Sequence, residues 1–85
     1  MSADITIYTK AYCPYCASAK TLLKAQGQMW KEIDVENDEA ARNEMIERSG
    51  GLLTVPQIFI NGAHIGGFDA LRDLNEAGKL APLLQ

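Results

Sequence analysis

Asn61-Gly62 stands between two apolar runs, Gln57-Ile58-Phe59-Ile60 and Ala63-His64-Ile65, and no other feature narrows the fold so far. An Asn-Gly pair readily takes the positive-φ pair of a tight turn, whose twist matches antiparallel strands. The second half of the chain is therefore built on a β-hairpin. Upstream, Ile5-Thr6-Ile7-Tyr8 makes a short β-branched and aromatic strand. Pro14 then sits at a helix start, where a missing N–H costs nothing, and Cys16, Ala19, Leu22 and Leu23 follow at helical spacing as far as Gly27. Trp30 to Val35 reads as a second strand. Asn37 or Asp38 caps a helix with Ala41, Met45 and Ile46 inward, a Glu44–Arg48 pair at i, i+4, and Gly50 at its end. Gly66-Gly67 leads into a last helix carrying Leu71 and Leu74 and ending at Gly78, and Leu80, Leu83 and Leu84 fold back as a short final turn. The order is β-α-β-α-β-β-α. A right-handed βαβ unit followed by a hairpin predicts one α/β domain over residues 1–85, with a four-stranded mixed sheet flanked by helices.

Length and charge exclude much else. Eighty-five residues suit one small domain with a radius of gyration near ~12 Å. No apolar run approaches the roughly 18 residues of a membrane span, and no charged-then-apolar leader precedes the first strand, so a cytoplasmic protein is expected. A net charge of −3 argues against binding nucleic acid. That charge is unevenly spread: residues 1–31 carry +3, residues 32–48 carry −5 and the remainder −1. Both cysteines lie in the positive third, a favourable field for a thiolate.

Cys13-Pro14-Tyr15-Cys16 holds the chemistry. Thiols three residues apart at a helix start lie one turn from each other and can close a disulfide with little backbone movement. Cys13 is at the helix N-terminus, where unpaired N–H groups and the dipole stabilise a negative sulfur. Cys16 points along the face of Ala19 and Leu23 and should be more buried. Cys13 is thus expected to attack and Cys16 to resolve. A closed zinc site needs four ligands, and two Cys with one His cannot supply them, so no metal is expected. A static disulfide does not suit a reducing cytoplasm. Inert thiols remain conceivable, but C-x-x-C opening the helix of a βαβ unit is a redox signature. His64, the only histidine, lacks a metal or triad partner and reads as structural, Trp30 as a half-buried strand residue and Met45 as core.

Three blocks resemble those of glutaredoxins: Tyr8-Thr9-Lys10 with Cys13-Pro14-Tyr15-Cys16, then Thr54-Val55-Pro56-Gln57-Ile58-Phe59-Ile60, then Gly66-Gly67-Phe68-Asp69. The likeness is to the small bacterial dithiol class and covers almost the whole chain. It implies the thioredoxin fold and a glutathione-dependent thiol–disulfide oxidoreductase, with glutathione as co-substrate and glutathionylated or disulfide-bonded proteins as partners. A monomer is expected, though the sequence itself does not reveal the oligomeric state. The resemblance makes Val55-Pro56 cis and places Pro56 beside the thiols. Thr54 and Val55 would hold the backbone of glutathione, as an added strand would be held. Gly67, Phe68 and Asp69 at the helix start would take its γ-glutamyl end, Lys10 and Gln57 its glycine carboxylate, and Tyr15 the side of the groove. Read without the resemblance, Lys10 is a solvated lysine, and Gly67 and Asp69 make a turn and a cap.

The chain also departs from its relatives. Leu52-Leu53 stands where many carry polar or basic residues, which removes positive charge from the rim. Ala70 replaces the second acid or hydroxyl that often follows the aspartate. The alternative activity is a [2Fe–2S] carrier in which two chains each contribute Cys13 and two glutathiones complete the cluster. Members that do this usually have Gly or Ser after the first cysteine, and here it is Pro14.

Overall fold

The computed structural model describes residues 3–85; Met1 and Ser2, which the expected domain bounds include, lie outside the description. The elements are β1 (Ile5–Thr9), α1 (Pro14–Ala25), β2 (Lys31–Asp34), α2 (Glu39–Arg48), β3 (Gln57–Ile60), β4 (Ala63–Gly66), α3 (Phe68–Glu76) and α4 (Leu80–Leu83). The sheet order is β2-β1-β3-β4. β1 and β2 run parallel, as a βαβ crossover requires, while β1–β3 and β3–β4 are antiparallel. At the hairpin, Asn61 and Gly62 have φ of 52° and 84°. A bulge between Ile58 and Phe59 sets Phe59 opposite His64 and Ile58 opposite Gly66. The radius of gyration is 12.0 Å, matching the expectation from length.

Strand parity divides the interior into two layers. Ile5, Ile7, Ile58 and Ile60 face one side and pack with Ala19 and Leu23 of α1, Leu71 of α3, and Leu80 and Leu84. Tyr8 and Phe59 face the other side and pack with Val35 and with Met45 of α2. The helices are cut where the residues demand it. Pro14 is the first residue of α1, Gly27 follows its end with φ of 72°, and the Asp38 carboxylate accepts the Ala41 N–H at 3.0 Å.

Two local expectations are corrected. β2 covers only Lys31–Asp34, so Trp30 is half-buried but outside the strand. Val35 is also outside it, although its N–H still bonds the Thr9 carbonyl at 3.0 Å and its side chain is 1% exposed. Glu44 and Arg48 form no direct ion pair. The buried Tyr8 hydroxyl stands between them, donating to Glu44 Oε2 at 2.6 Å and accepting from Arg48 Nη1 at 2.8 Å. Burial first, then the bond to Glu44, pushes the Tyr8 phenol above its ordinary pKa. The β1 tyrosine therefore fastens α2 to the sheet.

Candidate active site

The end of β1 hands the chain to α1 through a loop in which Cys13 is the N-cap, with extended backbone at φ −130° and ψ 101°. Its Sγ takes the capping role usually filled by a serine or aspartate oxygen, accepting the Cys16 N–H at 3.1 Å. Cys16 lies on the inward face of α1 with Ala19 and Leu23 and is 1% exposed, whereas Cys13 is only half-buried. The two are joined by a disulfide across a Cα–Cα distance of 5.2 Å. One sulfur is therefore reachable and sits on helix N–H groups. The other is enclosed.

Val55-Pro56 is cis and lies against this turn, with the Val55 carbonyl oxygen 3.9 Å from Cys13 Sγ. Val55 and Pro56 also belong to a groove of about 420 Å³. Thr54, Val55 and Pro56 line it, with Tyr15 at the side and Gly67, Phe68, Asp69 and Ala70 across it. The Tyr15 and Phe68 rings stack at 6.3 Å with a 28° tilt, closing one flank. Gly67 is the N-cap of α3 and offers no side-chain cap, so the first N–H groups of that helix keep their capacity to bind an anion. A Cβ at Gly67 would come 3.5 Å from the Pro56 carbonyl, so the two sides of the groove approach closely. Asp69 does not cap α3. It sits in the first turn, exposed, with Arg72 Nη1 3.5 Å away.

Seven of the nine residues expected around glutathione line this groove, and two do not. Gln57 is 1% exposed and its carboxamide is fully engaged, Nε2 donating to the Thr54 carbonyl at 3.0 Å and hydroxyl at 3.2 Å, and Oε1 lying 2.7 Å from His64 Nε2. Strand parity sends this side chain to the side of Phe59, so it has no group left for a carboxylate. Lys10 is exposed just past β1, outside the groove wall, and makes no ion pair among the described residues. Sequence reasoning gave His64 no contact with the site, yet it reaches Thr54 through Gln57. The signal was the Phe59–His64 pairing, which only the bulged register reveals. A larger depression of about 790 Å³ lies between α1 and β2, but no cysteine lines it.

Among the described residues no group of three or more His, Cys, Asp or Glu could hold a metal, and no helix is long and apolar enough to cross a membrane. The glutaredoxin family model matches residues 5–65. Glutaredoxin 3 of Escherichia coli (strain K12) is 51% identical over 83 residues, covering 98% of this chain and 99% of that protein. The solution structure of a Brucella melitensis glutaredoxin is 49% identical with a TM-score of 0.83, covering 98% of this chain and 89% of that one. The buckwheat glutaredoxin–glutathione complex is 32% identical with a TM-score of 0.86, covering 96% and 76%.

Proposed function

This chain belongs to the glutaredoxin family of thiol–disulfide oxidoreductases, and on that premise we propose that Cys13 and Cys16 are its reacting pair and that glutathione occupies the adjoining groove. The carrying observation is the placement of Cys13 Sγ on the Cys16 N–H and beside Val55, a residue of the groove wall.

In the reduced protein the Cys13 thiolate is held by the α1 N-terminus. Glutathione in a mixed disulfide lies along Thr54 and Val55, its γ-glutamyl carboxylate toward the α3 N–H groups and its ammonium toward Asp69. This seating presents the glutathione sulfur to Cys13. Attack forms the Cys13–glutathione disulfide, breaks the bond to the client protein, and lets the client thiolate leave and take a proton from water. A second glutathione, as thiolate, attacks the bound glutathione sulfur, leaving oxidised glutathione and the Cys13 thiolate. With a protein disulfide, Cys13 forms the mixed disulfide with the client. Cys16, once deprotonated, displaces the client thiolate and closes the Cys13–Cys16 bond, which two glutathiones reopen. Glutaredoxins as a class have potentials near that of the glutathione pool, so the ratio of reduced to oxidised glutathione sets the direction. The groove partners kept in this reading are Tyr15, Thr54, Val55, Pro56, Gly67, Phe68 and Asp69. Lys10 is retained as an exposed cation that can swing toward the glycine carboxylate, and Gln57 is reassigned to the support of Thr54.

The setting proposed is a single domain over residues 1–85 acting as a monomer in the cytoplasm on glutathionylated or disulfide-bonded proteins. The cluster-carrier alternative gains no supporting observation, and the rigid Pro14 and bulky Tyr15 crowd the position next to Cys13. The deciding experiment is glutathione-coupled reduction of a small glutathione mixed disulfide. Cys13→Ser is expected to abolish turnover and Cys16→Ser to keep it while losing reduction of protein disulfides. Equal loss in both variants on the small substrate would refute the role assignment.

A further inference from the structure

Among the described residues the His64 side chain has one hydrogen-bond partner, and it leads into the groove. Gln57 Nε2 donates to both Thr54 oxygens, the carbonyl at 3.0 Å and Oγ1 at 3.2 Å. That orientation leaves Gln57 Oε1 pointing at His64 Nε2, 2.7 Å away. An amide oxygen cannot donate, so the His64 nitrogen must carry the hydrogen, which both the Nε2–H tautomer and the imidazolium provide. Gln57 is 1% exposed with the exposed His64 ring beside its oxygen, so loss of the imidazole nitrogen takes away the protein partner of that oxygen. Reversing the carboxamide would set its oxygen against the Thr54 carbonyl oxygen and lose the bond now donated to it.

We propose that His64 is a positioning residue of the glutathione groove: it fixes the orientation of the Gln57 carboxamide, which in turn holds Thr54 where the groove wall needs it. The proposal rests on the reading that Thr54 and Val55 receive glutathione. The imidazole is well placed for the task. Its ring lies 5.0 Å from the Phe59 ring at a 37° tilt, and it sits opposite Phe59 in the hairpin. Phe59 is itself covered by the Arg48 guanidinium at 4.2 Å. The hairpin thus sets the imidazole height above β3, and Gln57 carries that setting to Thr54. His64 touches neither the sulfur atoms nor the groove, so its effect belongs in substrate affinity and not in the chemical step.

The test compares wild type, His64→Phe and His64→Gln with a small glutathione mixed disulfide. Phenylalanine keeps a ring against Phe59 and removes the donor, while glutamine restores a donor without the ring. His64→Phe is expected to raise KM about three- to tenfold, the scale of one lost part-buried hydrogen bond, with kcat changed less than twofold. His64→Gln is expected to recover most of that loss. Alkylation of reduced Cys13 by iodoacetamide, which needs the thiolate but no groove, reports on the sulfur separately. An unchanged KM in His64→Phe overturns the proposal. So does a fall in kcat with slowed alkylation, or a loss that follows a lowered melting temperature and that glutamine does not restore. Inactive wild type would instead defeat the underlying glutathione reading.

Discussion

Glu32 shows how one side chain is settled by competing neighbours. Its Oε2 accepts from the Thr9 hydroxyl at 2.9 Å and from the Lys20 ammonium at 3.2 Å. Burial is the strongest single influence and pushes its pKa up, but the bonds from Thr9 and Lys20, the Lys20 charge and a bond from Trp30 together outweigh it, leaving the carboxyl below its ordinary 4.5. A carboxylate with a lowered folded pKa adds stability above its unfolded value and loses it as pH falls through the folded one. Urea unfolding of wild type should therefore lose this contribution below pH 4.5, and Glu32→Gln should lose less on the same acidification. The side chain is 41% exposed, so the difference will be small; identical acid sensitivity would sink the assignment. At this scale the sequence was legible wherever helix geometry alone decides. The contrast between a reachable Cys13 and an enclosed Cys16 follows from their three-residue spacing on α1. Gln57 was misplaced for the opposite reason. Strand alternation put it on the same face as Phe59, but that His64 and Thr54 would absorb its amide depends on residues brought in by the bulged hairpin.

Among the elements, α2 is anchored by one fully buried residue, Met45, with Ala41 and Ile46 partly buried beside it. The Tyr8 hydroxyl compensates by binding Glu44 and Arg48 together, one turn apart on that helix. Tyr8→Phe keeps the ring and its edge contact with Phe59 at 5.7 Å but leaves both charged groups without their partner. The expected cost is about 1–3 kcal/mol in urea unfolding. A cycle with Glu44→Gln should show the two losses to be less than additive, because both remove the same bond. Full additivity would mean that the hydroxyl does not tie the helix down. Met45→Ala, which removes apolar packing instead, should cost about 2–5 kcal/mol and add independently to changes in the other layer, such as Leu23→Ala. Helices and hairpin strands were legible because their apolar spacing is regular and their ends carry Pro14, Asp38, Gly27 and Gly50. β2 was legible as a strand but not in its bounds, since a four-residue edge strand reading Lys-Glu-Ile-Asp has almost no alternation to mark its ends. The i, i+4 spacing of Glu44 and Arg48 was also visible, but not the tyrosine that comes between them from β1.

Over the whole molecule, the βαβ-plus-hairpin order made a mixed sheet legible, while the groove required three remote segments to meet and entered only through resemblance to other chains. Its electrostatics belong to this scale too. Glutathione is an anion, and the protein carries −3 overall, yet the thiols lie in the segment of residues 1–31 that carries +3. Leu52 and Leu53, 44% and 58% exposed just before the Thr54-Val55 wall, add no charge to that local field. Leu53 is two residues from Val55, so the chain keeps their Cα atoms within about 7 Å, inside the Debye length of about 10 Å at 0.1 M salt. Leu53→Lys should therefore raise kcat/KM for a glutathione mixed disulfide about two- to fivefold at low ionic strength, mainly by faster encounter. The site is exposed and its packing slight, so unfolding should shift by no more than about 0.5 kcal/mol. The gain must fade as salt approaches 1 M, where screening acts over about 3 Å. Leu53→Gln, polar but uncharged, separates this field from the removal of an apolar contact: it should leave the low-salt rate near wild type. A gain that persists at high salt, or that glutamine reproduces, would place the effect in local contacts with the substrate and not in the charge.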